Sequence, residues 1–250
     1  LYQRYRPGYP RELVDWIVAC AGIAPPASVA DVGCGTGIST RLFAERGFDA
    51  IGIDPNESML SFARKGGLGR YLLGEATATG LPDRSVDLVT VGQAFHWFDV
   101  PRALAEFRRI LRPGGSCAAF WNLRGSSPFL DDYDRVLLAH SSEYEVLRRQ
   151  GATAETLKNA PGITNAREAE FRYEQRFDLE GLEGRAHSSS YVVHGVADKP
   201  AFDRALADLF DRHEQGGSVE FVYRTVAVCW SFNEGATPPP ASSAPAPATR

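Results

Sequence analysis

Long apolar runs, clustered cysteines and any excess of positive charge are missing from this chain. No stretch approaches the ~18 apolar residues of a membrane-spanning helix, so no membrane span is expected. The four cysteines, Cys20, Cys34, Cys117 and Cys229, are scattered, with no CxxC pair and no Cys/His spacing of a metal site. That suggests no disulfide framework and points to small buried thiols, so a reducing, cytoplasmic location is expected and no metal is. A formal net charge of −4 argues against nucleic acid, whose affinity rests on Lys and Arg neutralising phosphates. The short basic clusters (Arg108, Arg109 and Arg112; Arg148 and Arg149) fit solvated helix faces instead. The opening residues are too polar and aromatic for a signal-peptide core. Because the first is Leu1 rather than Met, a few residues upstream are expected. No internal repeat is visible.

What is present is ordinary globular composition: 250 residues, 44% hydrophobic and 23% charged, enough for one large α/β core or two small ones. Leu13, Val14, Ile17 and Val18 recur at helical spacing between Pro10 and Cys20. A buried strand follows over 28–32, then a glycine-rich turn, a helix over 38–46, a second strand over 50–53 and a helix capped by Asn56 or Ser58. Strands are expected over 70–73 and 86–91, and an amphipathic helix over 101–111. Arg112-Pro113-Gly114-Gly115 then reads as a stop signal before a strand over 116–121. Short apolar strands alternating with helices predict a doubly wound, mostly parallel sheet, with the strands' C-terminal ends on one ligand-binding edge. Beyond Asn122 the pattern changes. Helices are expected over 131–149 and 199–213, and alternating antiparallel strands over 170–177 and 219–230. These strands can pair at the sheet edge, leaving the helices to cover the site. The expectation is one domain over 1–234, divided near 124 into a cofactor half and a substrate-covering half, with a disordered Pro/Ala-rich tail over 235–250.

The turn Asp31-x-Gly33-x-Gly35-x-Gly37 has a direct physical reading. Glycines permit a tight bend and close approach of a ligand, and the next helix offers unpaired N–H groups to an anion. Asp54 closes the second strand, where a carboxylate can accept both hydroxyls of a ribose. A dinucleotide site shares these features but wants G-x-G-x-x-G, and here the last position is Ile38. Asp31 is costly at a buried strand end unless paired. It would be repelled by a pyrophosphate and at home beside an α-ammonium group, which favours an amino-acid-bearing nucleoside over NAD.

The series VADVGCGTGIST, IGIDPNESM, GEATATGLPDRSVDLVTVGQAFHWFD and LRPGG resembles the motif series of class I S-adenosylmethionine-dependent methyltransferases in order and spacing. YQRYRPGYP, SSSYV and YRT resemble a small-molecule subgroup that includes methyltransferases of carboxylic acids such as trans-aconitate. The resemblance implies a seven-stranded Rossmann-like sheet with an antiparallel edge pair. It also implies S-adenosylmethionine held by Gly33, Gly35, Thr36 and Gly37 around its methionine part, with Asp31 near the ammonium, Asp54 on the ribose and Pro55 or Met59 on the adenine. Glu75 and Ala76 stand where the adenine amino group is met, and Gln93 stands on the same edge. Similar sequences often read Gly-x-Ala-Glu where this chain has Gly74-Glu75-Ala76-Thr77, so a contact from a glutamate at position 77 is absent. The segment with Tyr2, Tyr5, Arg6 and Tyr9 is either a lid over the cofactor or a plain strap.

Phe95, Trp97 and Phe98 cluster after the fourth strand. Aromatic faces suit a sulfonium cation, and at least one of the three is expected to be core. His96 fits two roles: a wall residue, or a general base for a hydroxyl or amine nucleophile. Methyl transfer is a displacement helped chiefly by alignment and exclusion of water, and a carboxylate nucleophile needs no base. Substrate contacts are expected from Trp97, Trp121, Asn122 and Tyr191, and from the region of His187, Ser190 and His194. Arg124 and Arg224 are candidates to clamp a carboxylate. The expected partner is a small molecule, neither nucleic acid nor membrane, with monomer or dimer left open. Two rivals share the edge: a nicotinamide-dependent dehydrogenase, which leaves Asp31 unexplained, and a non-catalytic nucleoside-binding protein. A nucleic-acid methyltransferase is disfavoured by the charge and by Leu123-Arg124 after Asn122.

Overall fold

The apolar runs form strands because both of their faces are buried. In the computed structural model, which describes residues 7–145 and 154–233, β1 (Ser28–Val32), β2 (Asp49–Asp54), β3 (Arg70–Leu73), β4 (Val86–Gly92), β5 (Leu111–Arg124), β6 (Ile163–Phe177) and β7 (Val219–Phe232) make one sheet. The order is β3-β2-β1-β4-β5-β7-β6. The first five strands run parallel, and β7 inserts antiparallel between β5 and β6. The doubly wound sheet with an antiparallel edge pair is therefore present. Tyr2, Tyr5, Arg6 and the tail over 235–250 lie outside the described residues.

Strand alternation sorts side chains between two layers. Ala30, Val32, Val89, Val91, Cys117, Ala119 and Trp121 face α4 (Val100–Ile110), whose Ala103, Leu104, Phe107 and Ile110 are buried against them. Val29, Ala50, Leu88, Ala118 and Phe120 face Leu13, Val14 and Ile17 of α1 (Arg11–Ala21) and Phe43 of α2 (Ile38–Ala44). Between β2 and β3 runs α3 (Glu57–Lys65), capped by Asn56, whose Oδ1 accepts from the Met59 N–H at 3.2 Å. A further core forms where α5 (Pro128–His140), α7 (Leu179–His187) and α9 (Lys199–His213) pack on the first half of β7. Between them in sequence lie the short α6 (Ala154–Lys158) and α8 (Ser190–Val193).

Several expected boundaries move, among them the start of β6, which lies at Ile163 rather than 170. The strand after α4 begins at Leu111 rather than after Gly115, because Val86 pairs with Leu111 and Leu88 with Ser116. Arg112 to Gly115 is accommodated as a bulge, with Gly114 at φ 78°. Residues 146–149 of the helix expected over 131–149, Arg148 and Arg149 among them, lie outside the described residues; the described helix starts at Pro128, capped by Ser127, and ends at His140. There the backbone of Ser141 bridges to Val196 and its hydroxyl donates to the Tyr191 carbonyl at 2.6 Å, partners that local periodicity does not reveal.

Candidate active site

At the C-terminal edge of the parallel strands a cleft of about 1240 Å³ opens between the first half of the chain and the helical cover. Its floor is the glycine-rich turn. Gly33, Gly35 and Gly37 all have positive φ, of 72°, 54° and 76°, as three L residues with side chains could hold only under strain. A Cβ on Gly33 would sit 2.5 Å from the Ala94 Cβ, and one on Gly37 would sit 2.5 Å from the Tyr71 hydroxyl. A Cβ on Gly35 would meet nothing within 4 Å; it would project into open space where a ligand can reach the backbone.

Asp54 is locked over this turn. Its Oδ2 accepts from the Gly35 N–H at 2.9 Å and its Oδ1 from the Asn56 N–H at 2.9 Å. It lines the cleft with Pro55, Asn56 and Met59, so the carboxylate is held at the cleft wall with acceptor capacity to spare. Asp31 stands behind the turn, fully buried and off the cleft wall. Ser39 and Thr40 both donate to its Oδ2 at 2.6 Å, and Thr90 donates to Oδ1 at 3.2 Å. Burial pushes its carboxyl above the ordinary range against those hydrogen bonds. Through these bonds Asp31 ties β1 and β4 to the first turn of α2.

Gln93, Ala94, His96, Trp97 and Phe98 form the adjoining wall. Gln93 holds φ at 57°, an uncommon conformation for a residue with a side chain, of the kind that gathers at functional sites. Of the three aromatics, Phe95 is the buried one, while Phe98 backs Gly33 and Trp97 is 68% exposed at the mouth. His96 lines the cleft, and desolvation lowers its pKa, leaving a neutral imidazole at pH 7.

Several expectations are corrected. Trp121 is in the core, edge-on to Phe95 with ring centroids 6.3 Å apart, because odd-numbered positions of β5 face α4. Asn122 does line the cleft, but its Nδ2 donates to the Gly8 carbonyl at 2.9 Å and its Oδ1 accepts from Thr225 at 2.6 Å. Its amide thus pins the strap, whose Pro7 and Tyr9 reach the cleft. Glu75 and Ala76 are not on the wall: Glu75 is exposed and its backbone pairs with Ala78. Thr36 and Tyr191 are on it, as is Ser190. His187 is occupied with Asp203 at 2.6 Å, and His194 is exposed elsewhere. Arg224 pairs with Glu170 outside the cleft.

Arg124 does reach the cleft, but Asp134 neutralises it at 2.8 Å and it also donates to the Tyr144 hydroxyl. Arg185, Tyr144 and Tyr223 are cleft residues that motif and periodicity do not single out. Arg185 does leave a signal in the sequence: it lies between Leu182 and Ala186 on the apolar face of α7, one turn before Ser189, and a charge there needs an explanation. Among the described residues no group of three or more His, Cys, Asp or Glu could hold a metal, and no helix is long and apolar enough to cross a membrane.

A parallel sheet with a glycine turn after β1 and a carboxylate closing β2 is an α/β domain whose ligand edge lies at the switch point of the strand order. Residues 30–119 match the methyltransferase domain family. An uncharacterised methyltransferase of Mycobacterium tuberculosis is 44% identical over 124 residues, 49% of each chain. One of Schizosaccharomyces pombe is 28% identical over 238 residues, 90% of this chain and 92% of that one. The solved structure of a provisionally named type II methyltransferase of Anaeromyxobacter dehalogenans superposes with a TM-score of 0.63 at 26% identity, covering 90% of this chain and 97% of that one. The matched stretch spans about half the length of the first of these relatives. Over residues 30–119 the chain is thus similar to the methyltransferase domain family, within a fold it shares with a solved methyltransferase.

Proposed function

We propose that the chain transfers a methyl group from S-adenosylmethionine to an oxygen, nitrogen or carbon nucleophile of a small molecule bound in the cleft, with carboxylic acids as the first class of acceptor to test. The observation that carries this reading is the Asp54 carboxylate fixed by Gly35 and Asn56 beside a turn whose Gly35 opens onto the cleft. The residues fit the cofactor: the turn over 33–36 has room for its methionine part, Asp54 for its ribose, and Pro55 and Met59 an apolar wall for its adenine. Bound there, it supplies an electrophilic methyl group on a sulfonium.

The chain's own contribution is alignment and exclusion of water. The strap residues Pro7 and Tyr9 and the exposed Trp97 stand around the cleft and can shield it. The neutral imidazole of His96 can accept a proton from a hydroxyl or amine acceptor, whereas a carboxylate acceptor brings none to remove. The formal charge of −4 supports a small-molecule partner over nucleic acid. The test is turnover: purified protein, S-adenosylmethionine and panels of small acids, phenols and amines, read by mass spectrometry as S-adenosylhomocysteine and a product about 14 mass units heavier (roughly one CH₂, the difference any methyl transfer makes). Formation of both together supports the proposal. Cofactor binding without turnover on any panel would favour a binding protein.

A further inference from the structure

The helical cover of the cleft holds a buried cation for which methyl transfer as described has no use. Arg185, in the last turn of α7, is only 9% exposed and lines the cleft. Its Nη1 donates to Ser189 at 2.9 Å and its Nε to the Tyr223 hydroxyl at 3.2 Å. Among the described residues, Nη2 has no hydrogen-bond partner and no carboxylate pairs with the guanidinium. A guanidinium does not lose its proton in a protein, and a buried charge with no counter-ion is costly.

The surrounding charges make this specific. Arg124, the other cation of this wall, is cancelled by Asp134 at 2.8 Å. Asp131 is exposed at the rim beside Ser126. The buried part of the wall therefore carries one uncompensated positive charge, ringed by hydroxyl donors and acceptors.

We propose that Arg185 is the specificity-determining anchor for a carboxylate of the methyl acceptor, and that the methyl goes to a different atom of that molecule. The inference rests on the proposed methyl transfer and names the substrate feature it requires. One positive charge balances a carboxylate and leaves a phosphate dianion over-charged, so a carboxylate is the better fit. A carboxylate held by the guanidinium and neighbouring hydroxyls has its lone pairs engaged, which makes it a handle and a poor nucleophile. The accepting atom is then another group, a second carboxylate included.

The experiment measures thermal stability with saturating S-adenosylhomocysteine and graded butyrate, benzoate, succinate or inorganic phosphate, for the unaltered chain, Arg185→Met and Arg185→Lys. For the unaltered chain, the melting temperature is expected to rise with at least one carboxylate and not with phosphate. Arg185→Met is expected to melt no lower than the unaltered chain without additive, since it removes an unpaired buried charge, to bind S-adenosylhomocysteine normally, and to lose at least tenfold in carboxylate affinity. Arg185→Lys is expected to fold and retain an intermediate affinity. A purely structural Arg185 would instead give a lower melting temperature in Arg185→Met with carboxylate affinity intact, in whichever variant folds, and that overturns the inference. So does a rise with phosphate as large as with carboxylates, or no rise with any carboxylate. Failure of S-adenosylhomocysteine to bind would strike the proposed function instead, with the carboxylate series repeated without it to read Arg185 separately.

Discussion

Asp31 shows how one buried side chain can hold a glycine turn in place from behind the cleft wall. Replacing it with Ala leaves the hydroxyls of Ser39, Thr40 and Thr90 without their shared acceptor, and unfolding is expected to become easier by about 3 kcal/mol, measured by urea denaturation. Asp31→Asn keeps an acceptor for Ser39 and Thr40 and can donate to Thr90, so it should fold. The pair separates a pH effect. Burial raises the folded-state pKa of Asp31, so its contribution is fully present below the unfolded value and is lost as the pH rises through the raised one. The stability of the unaltered chain relative to Asp31→Asn is accordingly expected to fall as the pH climbs above about 4; an unchanged difference would contradict the assignment. Gly37→Ala meets both a left-handed φ of 76° and the Tyr71 hydroxyl 2.5 Å from its new Cβ. It should cost about 2 kcal/mol and lower the melting temperature by roughly 4–8 °C. His96 should titrate below 6.5 in proton NMR, because desolvation disfavours its charged form. At this scale the sequence is most informative where chemistry is local: Gly33, Gly35 and Asp54 act through their own backbone or through a neighbour on an adjacent strand. It is least informative where orientation depends on register. Trp121 and Asn122 are consecutive, yet one is core and the other faces the cleft.

Elements are legible wherever apolar spacing matches burial. The helices over 11–21, 100–110 and 199–213 and every parallel strand except β5 begin and end within a few residues of where periodicity puts them. The displaced ends at Leu111, His140 and Ile163 are fixed by pairing of Leu111 with Val86, Ser141 with Val196 and Ile163 with Phe232, distant residues that periodicity does not see. A different tertiary tie holds α4 to the loop before β4. Glu106, 8% exposed, accepts from the Thr79 N–H at 2.8 Å and hydroxyl at 2.6 Å and pairs with Arg109 at 2.7 Å. Burial alone would raise its pKa, but the hydrogen bonds from Arg109 and Thr79 outweigh it and hold the carboxyl below the usual range. That stability is present above the unfolded value and is lost as the pH falls through the lowered one. Glu106→Ala should destabilise the fold by about 3 kcal/mol at pH 7, with the difference from the unaltered chain shrinking below about pH 4, as guanidinium titrations across pH would measure.

Over the whole molecule, the order β3-β2-β1-β4-β5-β7-β6 sets the division of labour. The β1 and β2 ends carry the glycine turn and Asp54, while the helices packed on β7 close the other side, where Arg185 of α7 and Tyr191 of α8 face the cleft with Arg124 from the end of β5. The first half of the chain can be read from sequence because its motifs are short-range. The second half cannot, because its wall of the cleft is assembled from helices and a strand far apart in the chain. Which nucleoside the first half binds decides between methyl transfer and hydride transfer. Calorimetric titration of the purified chain and of Asp54→Ala with S-adenosylmethionine, S-adenosylhomocysteine and NAD tests this most directly. Micromolar binding of both sulfur nucleosides is expected, weakened on the order of 100-fold in the variant by loss of charge-assisted hydrogen bonds, with no binding of NAD. Binding of NAD alone would contradict the account.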